Sequence, residues 1–261
     1  MSNQYRIAVV SQKGGVGKTT ISINIAAVLK SLNYDVLLID TDITSPSLTN
    51  FFNISGTEVG YKELLESQKP DIQNSLVTYA LSGFYILPAG KEIQPYYVPD
   101  IDKLNNFYRS LSKLSFDFVI VDTPPASFIE NALYNFSEAL IISTPDSASI
   151  IGAKVLSDIF EKRHLDHRLI VNRVEETKHE LSKEEIERAY GDFVYAVLPE
   201  DKLVKESEQK HTPVYILDKF SPFSAAVQDL CKVYTLKAGA PSGIAPDNKA
   251  GFISKLKKAF S

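Results

Sequence analysis

At 261 residues, with 44% hydrophobic and 23% charged residues, the chain has the make-up of a globular protein of one large domain or two small ones. A net charge of −4 supplies no general attraction to nucleic acid, and the single cysteine, Cys231, excludes an internal disulfide and fits a reducing compartment. No run reaches the ~18 apolar residues of a transmembrane helix, and a glycine-rich stretch begins too early to leave room for a signal peptide, so a cytoplasmic location is expected. In chain order, apolar and β-branched runs predict strands at 6–10, 36–40, 85–88, 116–122, 139–144, 169–172 and 193–198. Helical patterns at 21–32, 101–114, 149–163 and 183–190 lie between them. This alternation predicts an α/β fold, a mostly parallel sheet covered by helices on both faces. Asp40, Asp42, Asp122 and Asn172 fall at the carboxyl ends of strands, where such sheets bind ligands. After Leu236 three glycines and two prolines without helical periodicity predict a flexible linker, 237–250, which leads into a distinct terminal segment, 251–261.

The most informative stretch is Ser11-Gln-Lys-Gly-Gly-Val-Gly-Lys-Thr-Thr20, placed between a strand and a helix. Gly14, Gly15, Val16 and Gly17 offer backbone N–H groups that can turn inward around an anion. In such a phosphate-binding loop Lys18 reaches the β- and γ-phosphates, the Thr19 hydroxyl holds Mg²⁺, and Thr20 follows in the binding turn. Asp122 ends the apolar run Phe118-Val-Ile-Val-Asp122, the Walker B arrangement, in which a carboxylate faces the metal opposite Thr19. A cap on a following helix would use the same aspartate. Lys13 is out of place in an ordinary loop, because a second cation beside Lys18 is repulsive.

With Lys13 and Lys18 in these positions, the loop resembles that of the deviant Walker A ATPases of the MinD/ParA family. Gln12 stands where the ordinary G-x-x-x-x-G-K-[ST] pattern has its first glycine. The resemblance implies a doubly wound P-loop fold over 1–236, ATP and Mg²⁺ as cofactors, and hydrolysis of ATP. It implies that Lys13 reaches across an ATP-bound homodimer to the partner's phosphates. Asp40-Thr-Asp-Ile-Thr-Ser-Pro-Ser-Leu48 resembles the family's first switch, which gives Asp42 the attacking water and puts Asp40 near the magnesium shell; a solvated turn would also use two aspartates here. Thr123-Pro-Pro125 resembles the second switch. Asn172 and Arg173 resemble the strand end that reads adenine, and Pro199-Glu200-Asp201 the segment covering the other side of the base, although turn chemistry accounts for these residues as well. His164, His167, His179 and His211 have no metal-ligand spacing and read as surface residues.

Placed on a helix, Phe252, Ile253, Leu256, Ala259 and Phe260 share an arc of roughly 120°, with Lys255, Lys257 and Lys258 opposite. A short basic amphipathic helix on a tether is the pattern of an interfacial anchor for anionic lipid, and it resembles the membrane-targeting helix of MinD-like members. Four large apolar side chains offer ~6–10 kcal/mol when buried, and three lysines about 1 kcal/mol each. Ordering ten residues costs on the order of 10 kcal/mol. One copy therefore binds weakly, whereas two on a dimer gain roughly 10²–10⁴ in avidity; a tail that packs on its own domain or in a partner groove would carry the same pattern. The reading that follows is a MinD-like ATPase, peripheral at the inner membrane face when ATP-bound, that positions a cellular structure and answers to an activating protein. A ParA-type partition ATPase acting on nonspecific DNA is the alternative, disfavoured by the charge balance and the tail.

Overall fold

A computed structural model describes residues 4–55, 59–91, 99–125, 133–175, 177, 179–192, 194–238 and 241. Eight strands form one sheet: β1 (Tyr5–Val10), β2 (Val36–Asp40), β3 (Val77–Thr78), β4 (Tyr85–Leu87), β5 (Phe118–Asp122), β6 (Glu138–Ser143), β7 (His167–Val174) and β8 (Ala196–Pro199). Their order is β3-β4-β2-β5-β1-β6-β7-β8, and every pairing is parallel except β3 with β4. β2, β5 and β6 are buried along their whole length, as expected for strands covered on both faces.

One face carries α1 (Lys18–Ser31), α2 (Ser47–Phe51), α7 (Leu203–Lys210), α8 (Val214–Leu217) and α9 (Pro222–Ala238). The other carries α3 (Tyr61–Glu66) and α4 (Ile101–Leu111) over β2, β4 and β5, and α5 (Ser147–Lys162) and α6 (Lys183–Tyr190) over β6 and β7. The 14-residue helix α1 is buried from Ile21 through Leu29 because helices cover the side turned away from the sheet, so it lacks a polar stripe. Cys231 is buried on α9, and burial raises its thiol pKa far above the ordinary value.

The chain leaves β1 for β2 on one side and later takes β6 on the other, so the turn after β1 opens at the point where strand order reverses. That is where ligands bind in doubly wound sheets. The predicted strands appear, 36–40 with the same ends and the others with ends shifted by at most three residues; β3 and the helices α2, α3, α7, α8 and α9 are additions. The helical chain runs to Ala238, two residues into the segment read as linker. The terminal segment with Phe252, Ile253, Leu256, Phe260 and its lysines lies outside the described residues. Among the described residues no helix is long and apolar enough to cross a membrane.

Candidate functional site

The turn from β1 into α1 builds the cradle. Gly17 caps α1 at φ 100°, and a Cβ there would lie 2.3 Å from Asn172 Nδ2, so the position needs glycine for conformation and for space. Asn172 donates from that nitrogen to the Val16 carbonyl at 2.8 Å and so holds the loop from below. Lys18, only 8% exposed, donates to Ser11 Oγ at 3.0 Å, and the Ser11 hydroxyl donates to the Lys13 carbonyl at 2.7 Å. Burial lowers the Lys18 pKa, opposed by the carboxylates of Asp122 and Asp42.

Asp122 closes the floor. The hydroxyls of Thr19 and Ser22 donate to its two oxygens at 2.6 and 3.3 Å. Burial pushes its carboxyl up to about 6, although the Thr19 bond and Lys18 pull the other way. A hydroxyl and a carboxylate converging from α1 and β5 at an anion cradle are hard oxygen donors of the kind Mg²⁺ takes, and the donor set fits that ion. Thr41 and Thr123 hydroxyls donate to the Asp122 and Val9 carbonyls at 2.8 and 2.9 Å, tying the ends of β2, β5 and β1 together.

Asp40 differs from its sequence reading. It pairs in register with Asp122 but does not line the cavity. It is fully buried; its Oδ2 accepts from the Thr49 amide (2.9 Å) and hydroxyl (2.7 Å), and its Oδ1 from the Asp42 amide (3.1 Å). Burial and then the neighbouring Asp122 charge raise it to about 7. Thr49 Oγ1 also accepts from the Ala89 amide at 3.0 Å, so Asp40 clamps α2 and the loop after β4 from beneath. Asp42 does line the cavity. Its Oδ1 accepts from the Thr44 hydroxyl and the Ser45 amide, fixing the loop, while Oδ2 has no protein partner among the described residues.

A cavity of about 740 Å³ brings together Gly14, Gly15, Gly17, Lys18, Thr19, Thr20, Asp42 and Asp122. Arg173 lines it too, from a bulge in β7 where its φ of 61° is left-handed and strained for a side chain of that size. A second chamber, about 10 Å³, adjoins it and gathers Gly17, Thr20, Asn172, Arg173, Pro199, Glu200 and Asp201. Asp201 is committed elsewhere, since its oxygens accept from the Leu203 and Phe223 amides and so cap α7 and α9. Lys13 stands outside both chambers, its side chain 58% exposed and 3.8 Å from Asp146, the N-cap of α5. Beside it Gln12 packs over Gly152, where no Cβ would fit. The sequence reading passed over Glu208 and left His211 among the surface residues; both are exposed yet line the larger cavity from α7 and its C-cap. Among the described residues no His, Cys, Asp and Glu cluster forms a metal site.

Three known proteins show what this arrangement is similar to. An uncharacterised ATP-binding protein of Methanocaldococcus jannaschii is 32% identical over 261 residues, 97% of each chain. The septum site-determining protein MinD of Pyrococcus horikoshii, solved with Mg-ADP, superposes with a TM-score of 0.80 at 23% identity, over 92% of this chain and all of that one. MinD in the MinC:MinD cell division complex of Aquifex aeolicus gives 0.77 at 26% identity, over 88% and 95%. Residues 7–214 match the CobQ/CobB/MinD/ParA nucleotide binding domain, and with the loop, the Walker B strand and the sheet order in agreement, the chain belongs to that family of ATP-binding P-loop proteins.

Proposed function

We propose that this protein is a MinD-like ATPase that dimerises on ATP, attaches to the membrane through its C-terminal amphipathic helix, and positions a cellular structure until hydrolysis releases it. One observation carries the reading. Two cations occupy one short loop, and they are treated in opposite ways: Lys18 is buried in its own cradle, whereas Lys13 is held outside against Asp146. A lysine that serves no phosphate of its own protomer is in place to serve a second protomer's. The resemblance to MinD, including one solved with MinC, supports a role in cell division and a protein partner.

In this reading the backbone amides of Gly14, Gly15, Val16 and Gly17 and the Lys18 ammonium bind the triphosphate. Thr19 and Asp122 would hold Mg²⁺, which neutralises phosphate charge when bound, and Asp40 fixes the switch that carries Asp42. Asp42, which lines the cavity, orients the attacking water, and Lys13 from the partner protomer adds positive charge at the γ-phosphate. Positioning and charge suffice for phosphoryl transfer. Asn172, Arg173, Pro199 and Glu200 receive the base as the second chamber opens.

Sedimentation with anionic vesicles tests this directly. Full-length protein is expected to pellet with ATP and to stay in solution with ADP, and deletion of residues 251–261 should leave phosphate release intact while abolishing pelleting. Persistent pelleting without the tail, or a strictly monomeric ATP-bound species in sedimentation velocity, refutes the proposal. Asp42→Ala should slow phosphate release at least tenfold with ATP binding retained; unchanged turnover removes Asp42 from the chemistry.

A further inference from the structure

His211 ties two walls of the cleft together. At one end of α7, Val204 lines the small chamber with Asn172 and Pro199. At the other end, the C-cap His211 lines the large cavity beside Phe51, the last residue of α2. The His211 Nδ1 lies 2.7 Å from the Phe51 carbonyl oxygen. A carbonyl only accepts, so Nδ1 carries the proton and donates. The last carbonyls of a helix have no partner within it, and the imidazole supplies one from across the cleft. The two rings also meet edge to face, with centroids 6.3 Å apart.

The backbone at His211 is held independently of that bond. It is left-handed at φ 50°, and the Thr212 amide donates to the Ser207 carbonyl at 3.1 Å. The Tyr79 hydroxyl donates to the His211 carbonyl at 3.4 Å, and its ring packs 4.8 Å from that of Phe52, a second strut to the end of α2. What α2 carries is the switch. Thr49, at its middle, donates its amide and hydroxyl to one Asp40 oxygen, and the other accepts from the Asp42 amide. The place of α2 against α7 therefore bears on the place of Asp42. His211 is exposed, so while solvent fills the cleft its bond competes with water and adds little to the fold. Nucleotide seated in the cavity excludes that water, and the bond strengthens as the local dielectric falls.

We propose that His211 is a positioning residue for hydrolysis: its Nδ1–H latches the end of α2 to α7 and, through Thr49 and Asp40, keeps Asp42 in place once nucleotide is bound. The proposal rests on the reading of the cleft as the ATP site. Steady-state phosphate release by the full-length protein with MgATP tests it, alongside calorimetric ATP affinity and urea midpoints. His211→Gly keeps a left-handed C-cap and removes the donor. His211→Asn accepts the same backbone conformation and puts an amide N–H where Nδ1 stood. The Gly variant should lose kcat by roughly 3- to 10-fold, the worth of one hydrogen bond, with ATP affinity and urea midpoint retained. The Asn variant should recover most of the rate. An unchanged kcat in the Gly variant, equal losses for Gly and Asn, weaker ATP binding at full kcat, or a Gly variant that no longer folds each overturns the proposal. Lys18→Ala separates the two readings. Full ATP affinity in that variant sinks the site itself, whereas lost ATP binding there, with the His211 variants turning over like the unsubstituted protein, sinks only the latch.

Discussion

The floor of the cleft and its rim are built on different terms. On the floor, Lys18, Asp122 and Asp40 are buried, and hydroxyls or backbone amides hold each of them. On the rim, Lys13, Asp146, Arg173 and Glu208 remain largely in water, and the one ion pair among them is 3.8 Å long. Burial of charge is tolerated only where hydrogen bonds compensate it, so folding alone organises the floor. Rim charges interact at high dielectric, where they contribute little until a ligand or a second protomer excludes the water. The floor is therefore expected to link stability to binding, and the rim to alter binding alone.

The largest break in this comparison comes at Lys18. Lys18→Ala removes the buried cation from the cradle and also the charge that opposes the rise in the Asp122 pKa. ATP affinity should fall by 10²-fold or more, on the order of two charge-assisted hydrogen bonds. Calorimetry with MgATP measures it, and a loss under tenfold would place the triphosphate elsewhere.

The floor was also the more legible part. Gly14 to Thr20 are contiguous and Asp122 ends an unbroken apolar run, so spacing alone brings them to one strand edge. Asp40 shows where such reading ends. Its position after β2 was evident, but its partner Thr49 is nine residues on, and the Ala89 amide that Thr49 accepts from is forty further, so their meeting depends on α2 folding back over the sheet. Two-residue β3 and the five- and six-residue helices α2 and α3 are too short to leave a period. The α7 wall escaped for another reason. Its cavity face is polar, so Glu208 and His211 resemble any solvated surface until the cavity beside them is seen.

Thr49 sharpens the account of the floor. Thr49→Val keeps the shape but leaves Asp40 Oδ2 without one donor and the Ala89 amide without its acceptor. At ~1–3 kcal/mol for each under-satisfied buried group, unfolding should be easier by about 2–4 kcal/mol in urea, with Thr49→Ser recovering most of it. Equal losses for Val and Ser would mean that packing, not the hydroxyl, matters here.

A smaller effect follows from proton linkage. Burial raises Asp40 to about 7 and Asp122 to about 6, above the ordinary 3.8. Between those limits the folded state keeps protons that the unfolded chain has released. Stability of the nucleotide-free protein in chelator should thus fall as pH rises from about 4 to about 7, and level off above. Asp40→Asn removes its share of the slope, so its urea midpoints at pH 5 and pH 8 should lie closer together than those of the unsubstituted protein. An identical difference would show that Asp40 ionises as freely as a surface group.

The smallest stability effect belongs to the rim, and it separates the two regions most cleanly. The Lys13–Asp146 pair is 3.8 Å long with side chains 58% and 45% exposed. Exposed pairs contribute ~0–1 kcal/mol, so Lys13→Ala should change the unfolding free energy by no more than about 0.5 kcal/mol. Asp146 needs gentler treatment, because its Oδ1 also accepts from the Ser149 amide at 3.0 Å and caps α5; Asp146→Asn keeps an acceptor there and removes only the charge. Lys13→Ala should nonetheless eliminate the ATP-dependent dimer in sedimentation velocity, since its ammonium acts only once water is excluded between protomers. A monomer destabilised as much as by Thr49→Val would mean that Lys13 belongs to the floor, and a dimer unaffected by its loss would leave the second cation of the loop without a purpose.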